Sequence, residues 1–100
     1  MVKHIVFWRL KAEAHGNTAA ENARLIREKL EALVGVIPGL VSLEVGLDFE
    51  RSDQASDVAL YSVFESREAL AAYQVHPAHK AVMPFIAEAR SERRVVDYEV

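Results

Sequence analysis

The chain of 100 residues contains no cysteine. That excludes a disulfide framework, a thiol nucleophile and any thiolate metal site. Long hydrophobic runs are also missing. The apolar start MVKHIVFWRL is interrupted by Lys3, His4 and Arg9, which makes it too short and too polar for a signal peptide or a membrane span. The expectation is a cytoplasmic protein with no membrane partner. Positive charge is not in excess either: 12 Lys+Arg stand against 15 Asp+Glu, for a net charge of −3. The only basic cluster, Arg90, Arg93 and Arg94, is interrupted by Glu92. A nucleic-acid surface needs a basic face, so no nucleic-acid partner is expected. No linker or low-complexity segment divides residues 1–100, which read as one domain.

What is present is apolar. A hydrophobic fraction of 51% suffices for a packed core and argues against disorder. A domain of this length buries only about 60–68% of its unfolded surface, so an additional apolar face calls for a covering partner.

VKHIVFWRL reads as a strand, β-branched and aromatic, with His4, Val6 and Trp8 on one face and Ile5, Phe7 and Arg9 on the other. HGNT (15–18) is a loop. Thr18 and Glu21 match a capping box, and Ala19, Ala23, Ile26, Leu30 and Leu33 form one apolar stripe on a helix to about Val34. Gly35 stops it, and Pro38-Gly39 is a turn. LVSLEVGLDF (40–49) alternates as a half-buried strand, with Val41, Leu43, Val45 and Leu47 predicted inward. DVALYSVFE (57–65) is a strand apolar on both faces. Ser66 caps a helix over REALAAY, HPAHKAVMPFIAEA is a second helical piece that Pro84 should bend or break, and RRVVDYEV is the last strand.

The order β-α-β-β-α-β is the ferredoxin-like α+β pattern. It predicts one four-stranded antiparallel sheet ordered 4-1-3-2, with the helices on one face. The opposite face should be polar, yet Ile5, Phe7, Ala59, Tyr61, Val63, Val96 and Tyr98 fall on it. A face this apolar predicts burial against a partner, most economically a second copy across a two-fold axis. Two sheets packed face to face would form a dimeric α/β barrel.

The stretch AAYQVHPAHKAVMPF (71–85) sets Tyr73, His76 and His79 around Pro77. Proline favours the first helical turn and pushes His76 into an extended, capping conformation. His79 sits in that first turn, where the positive end of the helix dipole disfavours imidazolium and keeps the ring neutral. A neutral imidazole is what a general base requires. A tyrosine hydroxyl beside it could hold a substrate carbonyl and stabilise developing negative charge. Polar side chains at a helix junction are more usually structural. Metal ligation by His76 and His79 is disfavoured by the pre-proline geometry and by the lack of an HExxH pattern. His4 and Asp97 occupy neighbouring strands and would pair, either as a solvated strand-end pair or as groups that fix a ring tautomer in a pocket. Trp8 shares the His4 face, as core or as the wall that narrows any cavity there. Glu13, His15 and Glu88 read as solvated surface.

Taken as a set, VKHIVFWRLK, IPGLVSLEVGLDF, DVALYSVFESREALAAYQVHPAHKAV and VVDYEV resemble the stress-responsive A/B barrel domain (Dabb) family over almost the whole chain. The resemblance implies a ferredoxin-like subunit in a homodimer. A plant member cyclises a polyketide by an aldol step, and its catalytic Tyr and His are similar in placement to Tyr73 and His79. Its supporting His and Asp are similar to His4 and Asp97. This chain departs from that member in Ala23 and Ile26 on the first helix, in Trp8, and in Val58. The expectation is a pocket for a small apolar or aromatic ligand, with His4, Trp8, His76 and Asp97 as binding or supporting residues. It implies cofactor-free cyclase or lyase chemistry as the enzymatic version. Ligand binding without turnover, and a structural or stress-response role carried by the dimer or a higher assembly, stand beside it.

Overall fold

The computed structural model covers residues 1–100. Strand β1 (Val2–Leu10) leads into a two-residue ladder, β2 (Glu13–Ala14) with β3 (Asn17–Thr18). Helix α1 (Ala19–Glu31) follows, then β4 (Leu40–Leu47), β5 (Val58–Phe64), α2 (Arg67–Val75), α3 (Pro77–Ala89) and β6 (Arg90–Glu99). The long strands form one antiparallel sheet in the order β4-β5-β1-β6. Counted over the four long strands, this is the predicted 4-1-3-2 order met from the opposite edge. No helix is long and apolar enough to cross a membrane.

Local chemistry fixes the helix starts. Thr18 accepts from the Glu21 backbone N–H at 3.2 Å, and the Glu21 carboxylate accepts from the Thr18 backbone N–H at 3.0 Å. Such a cap contributes about 0.5–2 kcal/mol. Hydrogen bonds from the Thr18 backbone N–H and from its hydroxyl hold the Glu21 carboxyl below its ordinary range. Ser66 caps α2 through the Ala69 N–H at 3.1 Å. The turn before β4 needs glycine: Gly39 has φ +81°, and a Cβ there would lie 2.6 Å from the Ala69 Cβ.

The helices cover one sheet face. Ile26 and Leu30 of α1, Leu70 and Tyr73 of α2, and Val82 and Ile86 of α3 pack over Val6, Trp8, Leu60 and Phe64. Full burial of each large aliphatic side chain contributes about 1.5–3 kcal/mol.

Four sequence expectations are corrected. Val41 does not point into the core. It has no partner between the pairs Leu40–Phe64 and Ser42–Val63, so it forms a bulge, stands 49% exposed, and leaves Leu40 in its place. Pro84 does not break α3, which runs unbroken from Pro77 to Ala89. Pro84 lies on the exposed side of the helix, where solvent can satisfy the carbonyl deprived of its donor. Helix α1 ends at Glu31, before Val34. His15 is more than solvated surface. At φ 56° in the β2–β3 turn, it stacks on Phe85 with centroids 4.1 Å apart, and its Nε2 lies 2.9 Å from the Phe85 carbonyl oxygen. Asn22, which no sequence pattern marks out, is fully buried and ties the ladder to α1 by donating to the Ala14 carbonyl at 3.0 Å.

Candidate active site

Between the sheet and the helices lies a cavity of about 240 Å³. His4, Val6 and Trp8 of β1 form its floor with Leu60 of β5. Leu30 of α1, Tyr73 and Gln74 of α2, and His79, Met83 and Ile86 of α3 supply the opposite wall, and Arg93 of β6 the side. The cavity exists because the helices leave the β6 flank uncovered. Val95, on the helix side of β6 opposite Val6, is 46% exposed.

Chain reversal between α2 and α3 brings Tyr73 onto His79. Their ring centroids are 4.1 Å apart at 42°. Tyr73 also meets Phe64 at 5.0 Å and His4 at 6.2 Å, so its ring is held on three sides. It is 1% exposed. Burial pushes its hydroxyl up to about 12, against the opposing influence of Arg93, so the phenol stays a donor at neutral pH. Burial also lowers the His79 pKa, with the Gln74 backbone working against this and the charges of His4 and Arg93 reinforcing it. The His79 ring is therefore neutral at pH 7 and able to accept a proton.

Trp8 Nε1, Tyr73 Oη and His79 Nδ1 are buried without a well-formed protein hydrogen bond, although the His79 ring meets the Gln74 backbone. All three belong to residues that line this one cavity. A buried polar group without a partner costs about 1–3 kcal/mol, so three such residues around one cavity mark a site kept ready for something that would satisfy them.

The remaining candidates fall into place around it. Asp97 does not line the cavity; its Oδ1 bonds to His4 Nδ1 behind the ring. Ser62 donates to the His4 carbonyl at 2.9 Å. His4 is thus fixed at both backbone and ring, with its ring forming part of the cavity floor. His76 is placed outside the cavity. Its Nδ1 accepts from the Ala78 N–H at 3.1 Å and caps α3, as the pre-proline geometry demands. No group of three or more metal-ligating side chains occurs.

Gln74 and Met83 were not singled out in the sequence, and Arg93 was noted only as part of a basic cluster. A signal for Arg93 was present. It lies four residues before Asp97 in the same strand, so the two share a face, and it sits directly opposite Trp8 in the ladder.

The chain matches the profile of the Stress responsive A/B Barrel Domain (Dabb) over residues 2–100. No curated protein matches it. Among solved structures it is similar to a dimeric protein of unknown function and ferredoxin-like fold from Bacteroides fragilis. The two are 32% identical over 99% of this chain and 95% of that one, with a TM-score of 0.87. A dimeric ferredoxin-like protein of unknown function from a Jannaschia species is 28% identical over 99% of this chain and 98% of that one, at a TM-score of 0.74. The hydroxynitrile lyase of Passiflora edulis shares the fold at 19% identity, 99% and 92% coverage, and a TM-score of 0.82.

Proposed function

This chain belongs to the stress-responsive A/B barrel domain family, and from that premise we propose that it works as a homodimer whose cavities each bind a small organic ligand and perform acid–base chemistry on it. The observation that carries this reading is that Trp8, Tyr73 and His79, each with a buried polar atom lacking a protein partner, all line one cavity. His79 is the base, removing a proton from the carbon next to a carbonyl. Tyr73 donates a hydrogen bond to the carbonyl oxygen as it becomes an enolate. The Asp97–His4 pair holds the floor of the site. This fits a cyclase or lyase step and uses only groups the chain supplies. The homodimer is supported by the apolar outer face of the sheet and by the dimeric relatives from Bacteroides fragilis and Jannaschia.

The test needs no knowledge of the natural substrate. Enolisation exchanges α-hydrogens for deuterium in heavy water, and NMR follows the exchange on phenylacetone and phenylpyruvate. The native chain should accelerate exchange, and His79→Ala should cut that acceleration by about 10²–10⁴-fold with little change in Tm. Exchange no faster than in buffer for both probes would sink the acid–base chemistry. A large fall in Tm for His79→Ala, with no ligand effect, would favour the structural alternative.

A further inference from the structure

The cavity is lopsided in charge. Arg93 is the only lysine or arginine among the eleven residues that line it, and no aspartate or glutamate is among them. The Arg93 guanidinium makes no ion pair and no side-chain hydrogen bond within the chain, although Arg51, Arg67 and Arg94 each pair with a carboxylate. It is half-buried. The ladder sets it directly across from Trp8, whose indole Nε1 is one of the unpartnered buried donors. Side chains opposite one another on one face of an antiparallel pair lie within reach of a common partner. Two ladder partners that both line the cavity thus carry a guanidinium fork and an indole N–H, and both groups can only donate. Val6, Leu30, Leu60, Met83 and Ile86 supply the aliphatic part of the wall.

We propose that Arg93 makes this cavity selective for small carboxylates, molecules with a compact apolar body and one carboxylate group. The inference rests on the reading of the cavity as a ligand site and adds the class of ligand. A planar carboxylate matches the guanidinium fork in two parallel hydrogen bonds, and the indole N–H can meet the same group. The volume of about 240 Å³ falls below the roughly 300–1,000 Å³ of sites that take drug-sized molecules, so the apolar body is small. Held at the Arg93 end, such a ligand extends towards Tyr73 and His79 on the opposite wall. A bulky polyanion is disfavoured by the small volume and by a lining with no second lysine or arginine.

The probes are benzoate and its neutral counterpart benzamide, titrated into the full chain at pH 7.5 and followed by NMR at the Trp8 indole N–H and the His79 ring. Benzoate should bind tighter than benzamide by about tenfold or more, the scale of one charge-assisted hydrogen bond. Arg93→Gln should erase that preference while benzamide binding and Tm stay close to native. Arg93→Lys should keep part of it, since charge remains but the fork is lost. Equal binding of the two probes, or an unchanged preference in Arg93→Gln, would overturn the carboxylate assignment and leave the cavity as a site for neutral ligands. If neither probe perturbed Trp8 or His79, the cavity would not be a ligand site for molecules of this size, and both readings would fall.

Discussion

The two faces of the sheet break the usual rule of burial in opposite directions. On the outer face, apolar side chains meet solvent: Phe7 is 41%, Val96 49% and Tyr98 44% exposed. On the helix face, polar atoms of Trp8, Tyr73 and His79 are buried without a protein partner. The same strands produce both, since successive residues of β1 point alternately to the two sides. The contrast teaches what each face awaits. An exposed apolar surface is satisfied by another apolar surface of similar shape, hence a second chain. An unpartnered donor or acceptor in a cavity is satisfied by a molecule small enough to enter.

The largest effect should come from reversing the outer face. Phe7→Glu sets a carboxylate at the centre of the proposed interface, where an unpaired buried charge costs several kcal/mol. Analytical ultracentrifugation should show monomer or aggregate in place of dimer. A variant that stayed dimeric would move the interface elsewhere.

On the inner face the expected change is smaller and opposite in sign. Tyr73→Phe removes a buried hydroxyl that has no partner. It should raise stability by about 1 kcal/mol, or roughly 4–8 °C in Tm for a domain of this size, while slowing the exchange reaction. A stability loss on thermal melting would show that the hydroxyl is already satisfied, and the contrast between the faces would weaken.

The smallest effect is on pH dependence. The folded His79 has a pKa below its ordinary 6.5, so the unfolded chain binds the proton first as pH falls. Between 6.5 and the lower folded value the unfolded state carries more protons, and stability declines as pH drops through that window. Above 6.5 the contribution is fully present. Thermal melts between about pH 7.5 and 5 should therefore show a steeper acid loss for the native chain than for His79→Gln. Parallel curves would mean that His79 is not shielded from solvent.

Much of this was legible in the residues. Alternation in VKHIVFWRL separated His4, Val6 and Trp8 from Ile5 and Phe7, and the structure keeps that division. The Thr18–Glu21 box and Ser66 sit where local hydrogen bonding places them. His76 caps α3 because proline restricts the residue before it. Val41 was misread because alternation assumes an uninterrupted ladder, and the bulge interrupts it. Arg93 was overlooked because a charged residue near other charges looks solvated until its strand is registered against β1.

The sequence by itself determined the elements, their caps and the two-sidedness of the sheet, since these follow from backbone sterics and the period of neighbouring residues. Only the tertiary structure decided that Trp8 would face Arg93, that Tyr73 would lie against His79, and that a cavity would remain between them. Those meetings join residues far apart in the chain, and they depend on strand register and on the gap that the helices leave beside β6.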